Sequence, residues 1–427
     1  MKGFYLKPML FDALKGYKKD QLVKDIVAGV IVAIIALPLS IALALASGVE
    51  PACGIYTAIA AGFLVSFLGG SRVQIAGPTA AFATVVAGIV ARKGMGGLFV
   101  ATVMAGVMLV IMGVCKLGTL IKYIPKTITV GFTSGIAVTI LLGQIKDFLG
   151  LSYAAGVKPI ETVEKIEANI AAIGTFSWQS LLIGALSLAI LILYPKLEKR
   201  VPPSLIAVVV CALFVGLVPL FGSGVYTIGE LYSIPAGLPK VDFSSIDFSP
   251  ANLLALLPDA VTIAVLAAIE SLLSCVVADG MIDSAHNSNA ELVAQGVGNI
   301  GSVLFGGIPA TGAIARTAAN IKNGGRTPIS GMTHAIVLLL VLLVLMPYAA
   351  HIPTPTIAAI LFVVAYNMSE WRHFLEIVKT AHWTDTAVLT VTFLLTVIFD
   401  LIVAIAVGLA LAVVFGLVKK LRAAKSK

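Results

Sequence analysis

Four stretches of this chain, residues 26–49, 94–115, 168–195 and 201–229, contain no Asp, Glu, Lys or Arg. Each is longer than the roughly 18 to 20 apolar residues that a helix needs to cross a bilayer. Of the 427 residues 59% are hydrophobic and 12% are charged, about half the charge of a soluble domain. The runs do not alternate polar and apolar residues as barrel strands do, so the pattern predicts a polytopic, all-α membrane protein. The first 24 residues carry six lysines and no long apolar run. The run beginning at Ile26 is too long for a signal-peptide core, so the N-terminus is expected to be retained. Cys53, Cys115, Cys211 and Cys275 show no metal or disulfide spacing and read as small buried packing residues.

Fourteen segments are expected, at roughly 25–48, 52–68, 79–91, 96–115, 128–148, 177–195, 203–221, 251–276, 289–305, 311–321, 329–348, 353–367, 384–399 and 401–419. The third and tenth are too short to span. With the N-terminus cytoplasmic, 22 of the 29 Lys and Arg residues fall on cytoplasmic stretches and six on external ones, the asymmetry of the positive-inside rule. Seven segments on either side of a Gly-, Ser- and Pro-rich link give halves of opposite orientation, a 7+7 inverted repeat. The expected division is a cytoplasmic tail (1–24), a first repeat (25–222), an external linker (223–250), a second repeat (251–420) and a short cytoplasmic tail (421–427). Both termini are then cytoplasmic and the protein sits in the plasma (inner) membrane. Ile160 to Ile170 is spaced as an amphipathic helix at the membrane surface.

Two breaks interrupt membrane-depth sequence at matching places in the halves. One reads Gly77-Pro78-Thr79-Ala80-Ala81-Phe82 and the other Ile308-Pro309-Ala310-Thr311-Gly312-Ala313-Ile314-Ala315-Arg316. Non-helical backbone at that depth is tolerated where it lines a protein cavity, and paired breaks point to a transporter's central site. The inverted topology makes half-helices 3 and 10 face each other N-terminus to N-terminus. Unpaired N–H groups and two positive dipole ends then form an anion site. The backbone donors of Thr79, Ala80, Ala81 and of Thr311 to Ala315 are its candidates; a pair of merely kinked helices is the plainer alternative.

Arg316 is the one charge between Val293 and Ile321, about one and a half turns into segment 10. It either supplies the site with a full positive charge or snorkels to the cytoplasmic surface. Glu270 is the one charged residue between Ala260 and Ala278. A lone carboxyl at that depth is suited to take up and release a proton, with Ser274 on the same helix face; a static salt bridge to Arg316 is the competing role. Asp279 and Asp283 read as the solvated end of segment 8, Asp25 as an interface marker and Asp400 as a turn residue. The histidines show no ligand spacing. There is no phosphate-binding loop and no nucleophile–base or metal constellation, so neither ATP hydrolysis nor an enzyme is expected, and no metal, cofactor or nucleic acid.

An ordered series of motifs resembles the sulfate permease (SulP) family, relatives of the solute carrier 26 anion transporters. It runs through Asp25-Ile-Val-Ala-Gly29, Ala36-Leu-Pro38, Gln74-Ile-Ala-Gly-Pro-Thr-Ala80, Ile124-Pro125 and Gly131-Phe-Thr-Ser-Gly135. It continues through Ala268-Ile-Glu-Ser-Leu-Leu273, Val277-Ala-Asp-Gly280, Asn289-Ala-Glu-Leu-Val-Ala-Gln-Gly296 and Gly307-Ile-Pro-Ala-Thr-Gly312. The resemblance implies a core domain (segments 1–4 and 8–11) that moves against a gate domain (5–7 and 12–14), and a homodimer. It places Thr79 and Ala80 at the site from helix 3, Ala315 and Arg316 from helix 10, and gives Glu270 the ion-coupling position. Leu39 and Leu43 stand where many animal members carry Gln and an aromatic, which implies a drier pocket wall. Ile314 stands where sodium-coupled bicarbonate relatives tend to carry a hydroxyl, which favours proton over sodium coupling. Family members usually end in a STAS domain, which this sequence does not contain.

The expected function is secondary active, proton-coupled symport of sulfate, bicarbonate or a small dicarboxylate by alternating access. The substrate-binding set is Thr79, Ala80, Ala81, Leu39, Leu43, Ala313, Ile314, Ala315 and Arg316, with Glu270 and Ser274 for coupling. An uncoupled exchanger or channel is the alternative, and a nucleobase symporter on the same fold a more distant one.

Overall fold

Helix after helix follows from the apolar runs, each bounded by Pro, Gly or a charged cluster. A computed structural model describes residues 6–119, 125–157, 161–198, 201–218, 224–232, 246–399 and 401–425, with the single positions 159, 221 and 237. Lys122, Lys158, Lys199, Arg200, Lys240, Asp400 and residues 223, 233–236 and 238–245 of the linker lie outside the described residues. The first half holds α1 (Lys19–Ala46), α2 (Pro51–Leu68), β1 (Ala76–Gly77), α3 (Ala80–Val114), α4 (Lys126–Leu149), α5 (Thr162–Ala171), α6 (Trp178–Leu197) and α7 (Pro203–Leu217). The second holds α8 (Pro250–Ile282), α9 (Ser288–Leu304), β2 (Thr311–Gly312), α10 (Ile314–Lys322), α11 (Pro328–Leu345), α12 (Thr354–Met368), α13 (Trp371–Thr380), α14 (Trp383–Ile398) and α15 (Leu401–Lys425). A short helix, Met9–Ala13, precedes α1.

Seven of the described helices are long and apolar enough to cross a membrane. Half-helix 3 and segment 4 form one element, α3, broken at Gly94, whose φ of 67° is a left-handed conformation open to glycine. Segment 8 is longer than expected and runs to Ile282. The tenth segment starts three residues later than expected, at Ile314, because Thr311 and Gly312 are held extended in β2. The surface helix α5 begins at Thr162 with a reciprocal cap between Glu161 and Glu164 and turns Val163, Ile166 and Ile170 outward.

Packing sorts the helices into two bundles. In one, α3 packs against α8 and α9, α11 against α1 and α2, and α9 against α2. In the other, α4 packs against α12 and α14, α12 against α6, α6 against α7, and α14 against α15. The first bundle is closed by small residues. A methyl group on Gly106 would lie 2.8 Å from the Gly296 carbonyl oxygen, and one on Gly296 2.5 Å from that of Gly106. Such backbone contact is how membrane helices gain dispersion energy without a hydrophobic drive. Cys53, Cys211 and Cys275 are buried as expected, whereas Cys115 is exposed because α3 ends there.

Asp25, read from the sequence as an interface marker, is fully buried in the fold. Its carboxylate accepts from Tyr17 Oη (2.7 Å), Gln21 Nε2 (3.1 Å), the Arg326 amide (2.7 Å), the Thr327 amide (3.3 Å) and Thr327 Oγ1 (2.6 Å). It thereby ties the start of α1 to the chain entering α11. Asp25→Ala strands these donors and is expected to cost about 3 kcal/mol. The expected readout is a lower unfolding temperature in detergent; an unchanged value would show that water replaces the carboxylate at no cost.

Candidate functional site

The two breaks meet. β1 and β2 pair antiparallel, Ala76 opposite Gly312 and Gly77 opposite Thr311, so a two-residue ladder from the two halves brings the N-termini of α3 and α10 together. Backbone at this depth has little water to bond, and buried side chains fix it. The Ala313 amide donates to the Ile75 carbonyl at 2.9 Å, and the Ile75 amide to Thr317 Oγ1 at 3.0 Å. Asn299 grips Ala310 at both its amide and its carbonyl, each at 2.9 Å. Asn320 Nδ2 donates to the Val73 carbonyl at 2.9 Å.

Glu291, fully buried on α9, anchors the loop before β1. It accepts from the amides of Gly70 (2.9 Å) and Ser71 (3.2 Å) and from the side chains of Gln74 (2.7 Å) and Gln295 (2.9 Å). The sequence assigns Glu291 no role. Its isolation in an apolar helix, within the motif around Asn289, is the signal that it carries.

One stripe of α8 holds the ladder. Ser271 Oγ accepts from the Gly312 amide (3.0 Å), Ser274 Oγ donates to Thr317 Oγ1 (3.4 Å), and Cys275 Sγ donates to Gln74 Oε1 (2.9 Å). Glu270 lies off this stripe, and its carboxylate accepts from Thr79 Oγ1 at 3.0 Å. Ser274 thus donates to Thr317 behind the ladder and, unlike Glu270, does not line the cavity.

A cavity of about 640 Å³ spreads in front of the ladder. Leu39, Leu43, Thr79, Ala80, Ala81, Glu270, Ala313, Ile314, Ala315 and Arg316 all line it. The opposing wall comes from the second bundle: Thr133 on α4, Leu191 and Pro195 on α6, Ser204 on α7, and Ile360, Val363 and Val364 on α12. The cavity extends past Asn323 at the end of α10. Gln21 near the start of α1 donates to the neighbouring Gly324 carbonyl at 3.0 Å, so the cavity runs toward the side on which α1 begins.

Arg316 occupies the third residue of α10, in its first turn rather than deeper. Its side chain is 3% exposed, so it does not snorkel. One terminal nitrogen donates to the Pro78 carbonyl, across the ladder at the head of half-helix 3. The other, Nη1, has no partner among the described residues. No ion pair joins Arg316 to Glu270 among the described residues, so the static-bridge alternative is not what the fold builds. The expected backbone donors are fewer than the sequence implies. The amides of Gly312 and Ala313 are consumed by Ser271 and Ile75. The first-turn amides of α3 at Ala80 and Ala81, and of α10 at Ile314 and Ala315, lack helical carbonyl partners by position. The arrangement is an electropositive point, two dipole ends and a guanidinium, at the inner end of a mostly apolar cavity, with one carboxyl beside it.

Asp279 is not simply solvated, since His286 Nδ1 lies 2.6 Å from its Oδ2 and the His286 amide donates to the same oxygen. This pair closes the turn after α8, away from the cavity.

Residues 22–392 match the profile of the sulfate permease family. A Bacillus subtilis protein named putative sulfate transporter YvdB is 45% identical over 370 residues, covering 86% of this chain and 68% of the relative. The bicarbonate transporter BicA of a Picosynechococcus species is 35% identical over 372 residues, covering 84% of this chain and 63% of the relative. The chain thus spans about two thirds of the length of these curated relatives. The solved transmembrane domain of a cyanobacterial BicA superposes with a TM-score of 0.80 at 32% identity, over 91% of this chain and 98% of that one. Murine Slc26a9, at 19% identity and a TM-score of 0.86 over 96% of this chain and 71% of that one, shares the fold. The fold is accordingly a 7+7 inverted-repeat membrane domain in which each bundle draws helices from both halves of the sequence, and the chain belongs to the sulfate permease family.

Proposed function

We propose that the protein is a secondary active anion transporter working by alternating access, in which the anion binds between the N-termini of α3 and α10 and against Arg316. The family is one of transporters rather than enzymes, and the carrying observation is the convergence of Arg316 and both half-helix ends at the inner end of one cavity. An anion there meets donors aimed at it in advance, so little reorganisation is needed on binding. The substrate is a small oxyanion or carboxylate; the names of the relatives divide between sulfate and bicarbonate, and a small dicarboxylate fits the same chemistry. Glu270 sits where a proton taken up on its carboxyl removes a negative charge next to the bound anion, which favours proton symport. Protonation then strengthens anion binding, and release of both on the low-proton side resets the carrier. The cavity faces the cytoplasm, with both termini there, in the plasma (inner) membrane, and two copies form a homodimer. No resident cofactor takes part; the proton gradient drives transport.

The test is uptake of radiolabelled sulfate, bicarbonate and fumarate into proteoliposomes, each with and without an inward proton gradient. The expected result is gradient-stimulated uptake of one of the three. Uptake indifferent to the gradient would replace symport by exchange or channel-like flux.

A further inference from the structure

A buried histidine on α11 has no place in the mechanism above. His334 is fully buried, and neither ring nitrogen has a partner among the described residues. Its neighbour across the seam, Ser66 on α2, is 4% exposed and its hydroxyl is likewise unpartnered.

Both face the back of β1. The Ala313 amide bonds Ile75, and the Gly312 amide turns away to Ser271, so Ala76 and Gly312 form a non-hydrogen-bonded pair. By the alternation of an antiparallel ladder, the peptide groups of Ala76 point away from β2. They point to α2 and α11. A methyl group on Gly62 of α2 would lie 3.3 Å from the Ala76 carbonyl oxygen and 3.5 Å from His334 Nδ1. One on Gly331, a turn before His334, would lie 2.1 Å from Ser66 Oγ and 3.4 Å from the Gln74 carbonyl oxygen. Glycine at 62 keeps side-chain bulk out of the space between carbonyl and imidazole. The free edge of the site strand thus faces two unpartnered side chains in a sealed seam. Buried polar atoms in native proteins are nearly always bonded, to protein or to ordered water.

We propose that this seam is a hydration site: ordered water bridges His334 and Ser66 to the Ala76 and Gln74 carbonyls, and His334 thereby acts as a positioning residue for β1. The neutral imidazole offers one donor and one acceptor, the complement of a bridging water between it and a carbonyl. The consequence reaches the anion through the chain. β1 leads directly into Pro78, whose carbonyl holds Arg316. A strand set by water on its back edge sets the guanidinium on its front. This part rests on the reading that the anion binds at Arg316.

Two measurements test it. X-ray radiolytic hydroxyl labelling of the wild-type protein in nanodiscs is expected to modify His334 at least tenfold faster than Phe132, which is equally buried. Labelling of His334 as slow as that of Phe132 would overturn the hydration site, and this arm does not depend on transport. In the uptake assay, His334→Phe, which can neither donate nor accept, is expected to raise KM for the anion at least fivefold. His334→Gln, which can do both, is expected to keep KM within twofold of wild type. Equal KM in all three proteins would overturn the positioning role, and a wild-type protein that transports none of the anions would instead count against the site reading while the labelling result still decides the water.

Discussion

Arg316→Ala is expected to lower anion uptake at subsaturating substrate by roughly a hundredfold while leaving the protein folded. The guanidinium is buried, is tied to the Pro78 carbonyl, and keeps Nη1 unpartnered among the described residues at the cavity. A hydrogen bond to a charged partner contributes about 1.5 to 3 kcal/mol, and about 2.8 kcal/mol is a factor of a hundred in affinity. The loss should therefore fall on KM before it falls on the maximal rate. Arg316→Lys keeps the charge but cannot hold Pro78 and the anion with one planar fork, so partial recovery is expected. Uptake kinetics alongside size-exclusion profiles of the three proteins check this. Wild-type uptake by a well-folded Arg316→Ala would move the anion site elsewhere.

Glu270→Gln is expected to abolish stimulation by a proton gradient. Glutamine keeps the shape of the side chain and can still accept from Thr79 Oγ1, which stands 3.0 Å from the carboxylate. It cannot gain or lose a proton. With one proton carried per anion, each unit of pH gradient is worth about 1.4 kcal/mol, a tenfold accumulation ratio. In the wild type, uptake should rise as the external side is acidified, because protons and anions enter together. In the variant the dependence should be flat, and only exchange of labelled for unlabelled anion should survive. Persistent gradient-driven accumulation in Glu270→Gln would assign coupling to another group.

The architecture was legible because lipid imposes it: charge-free runs long enough to cross a bilayer reveal the spans. The breaks around Pro78 and Pro309 were legible because loose backbone at membrane depth demands a reason. Arg316 and Glu270 stood out as lone charges. The ladder between Ala76–Gly77 and Thr311–Gly312 was not legible, since two residues are too few to carry a strand period. Its presence shifted the start of α10 to Ile314 and removed the Gly312 and Ala313 amides from the expected donors. Ser274 misled because helical spacing places it near Glu270, yet Thr317, distant in sequence, claims its hydroxyl. Asp25 and Glu291 were under-read for the same reason: their partners, at Arg326–Thr327 and Gly70–Gln74, are far along the chain.

The ladder has a genetic consequence. β1 belongs to the first repeat and β2 to the second, and each carries only one rail of the pairing that aligns the two helix ends. A half-chain expressed alone holds one dipole end, an unpaired strand edge and only part of the cavity lining, so it does not contain the assembled site. Co-expressed halves should therefore complement all-or-none, with uptake returning only in those pairs that reassemble into one particle, whereas mixing a half-chain with an intact copy should rescue nothing.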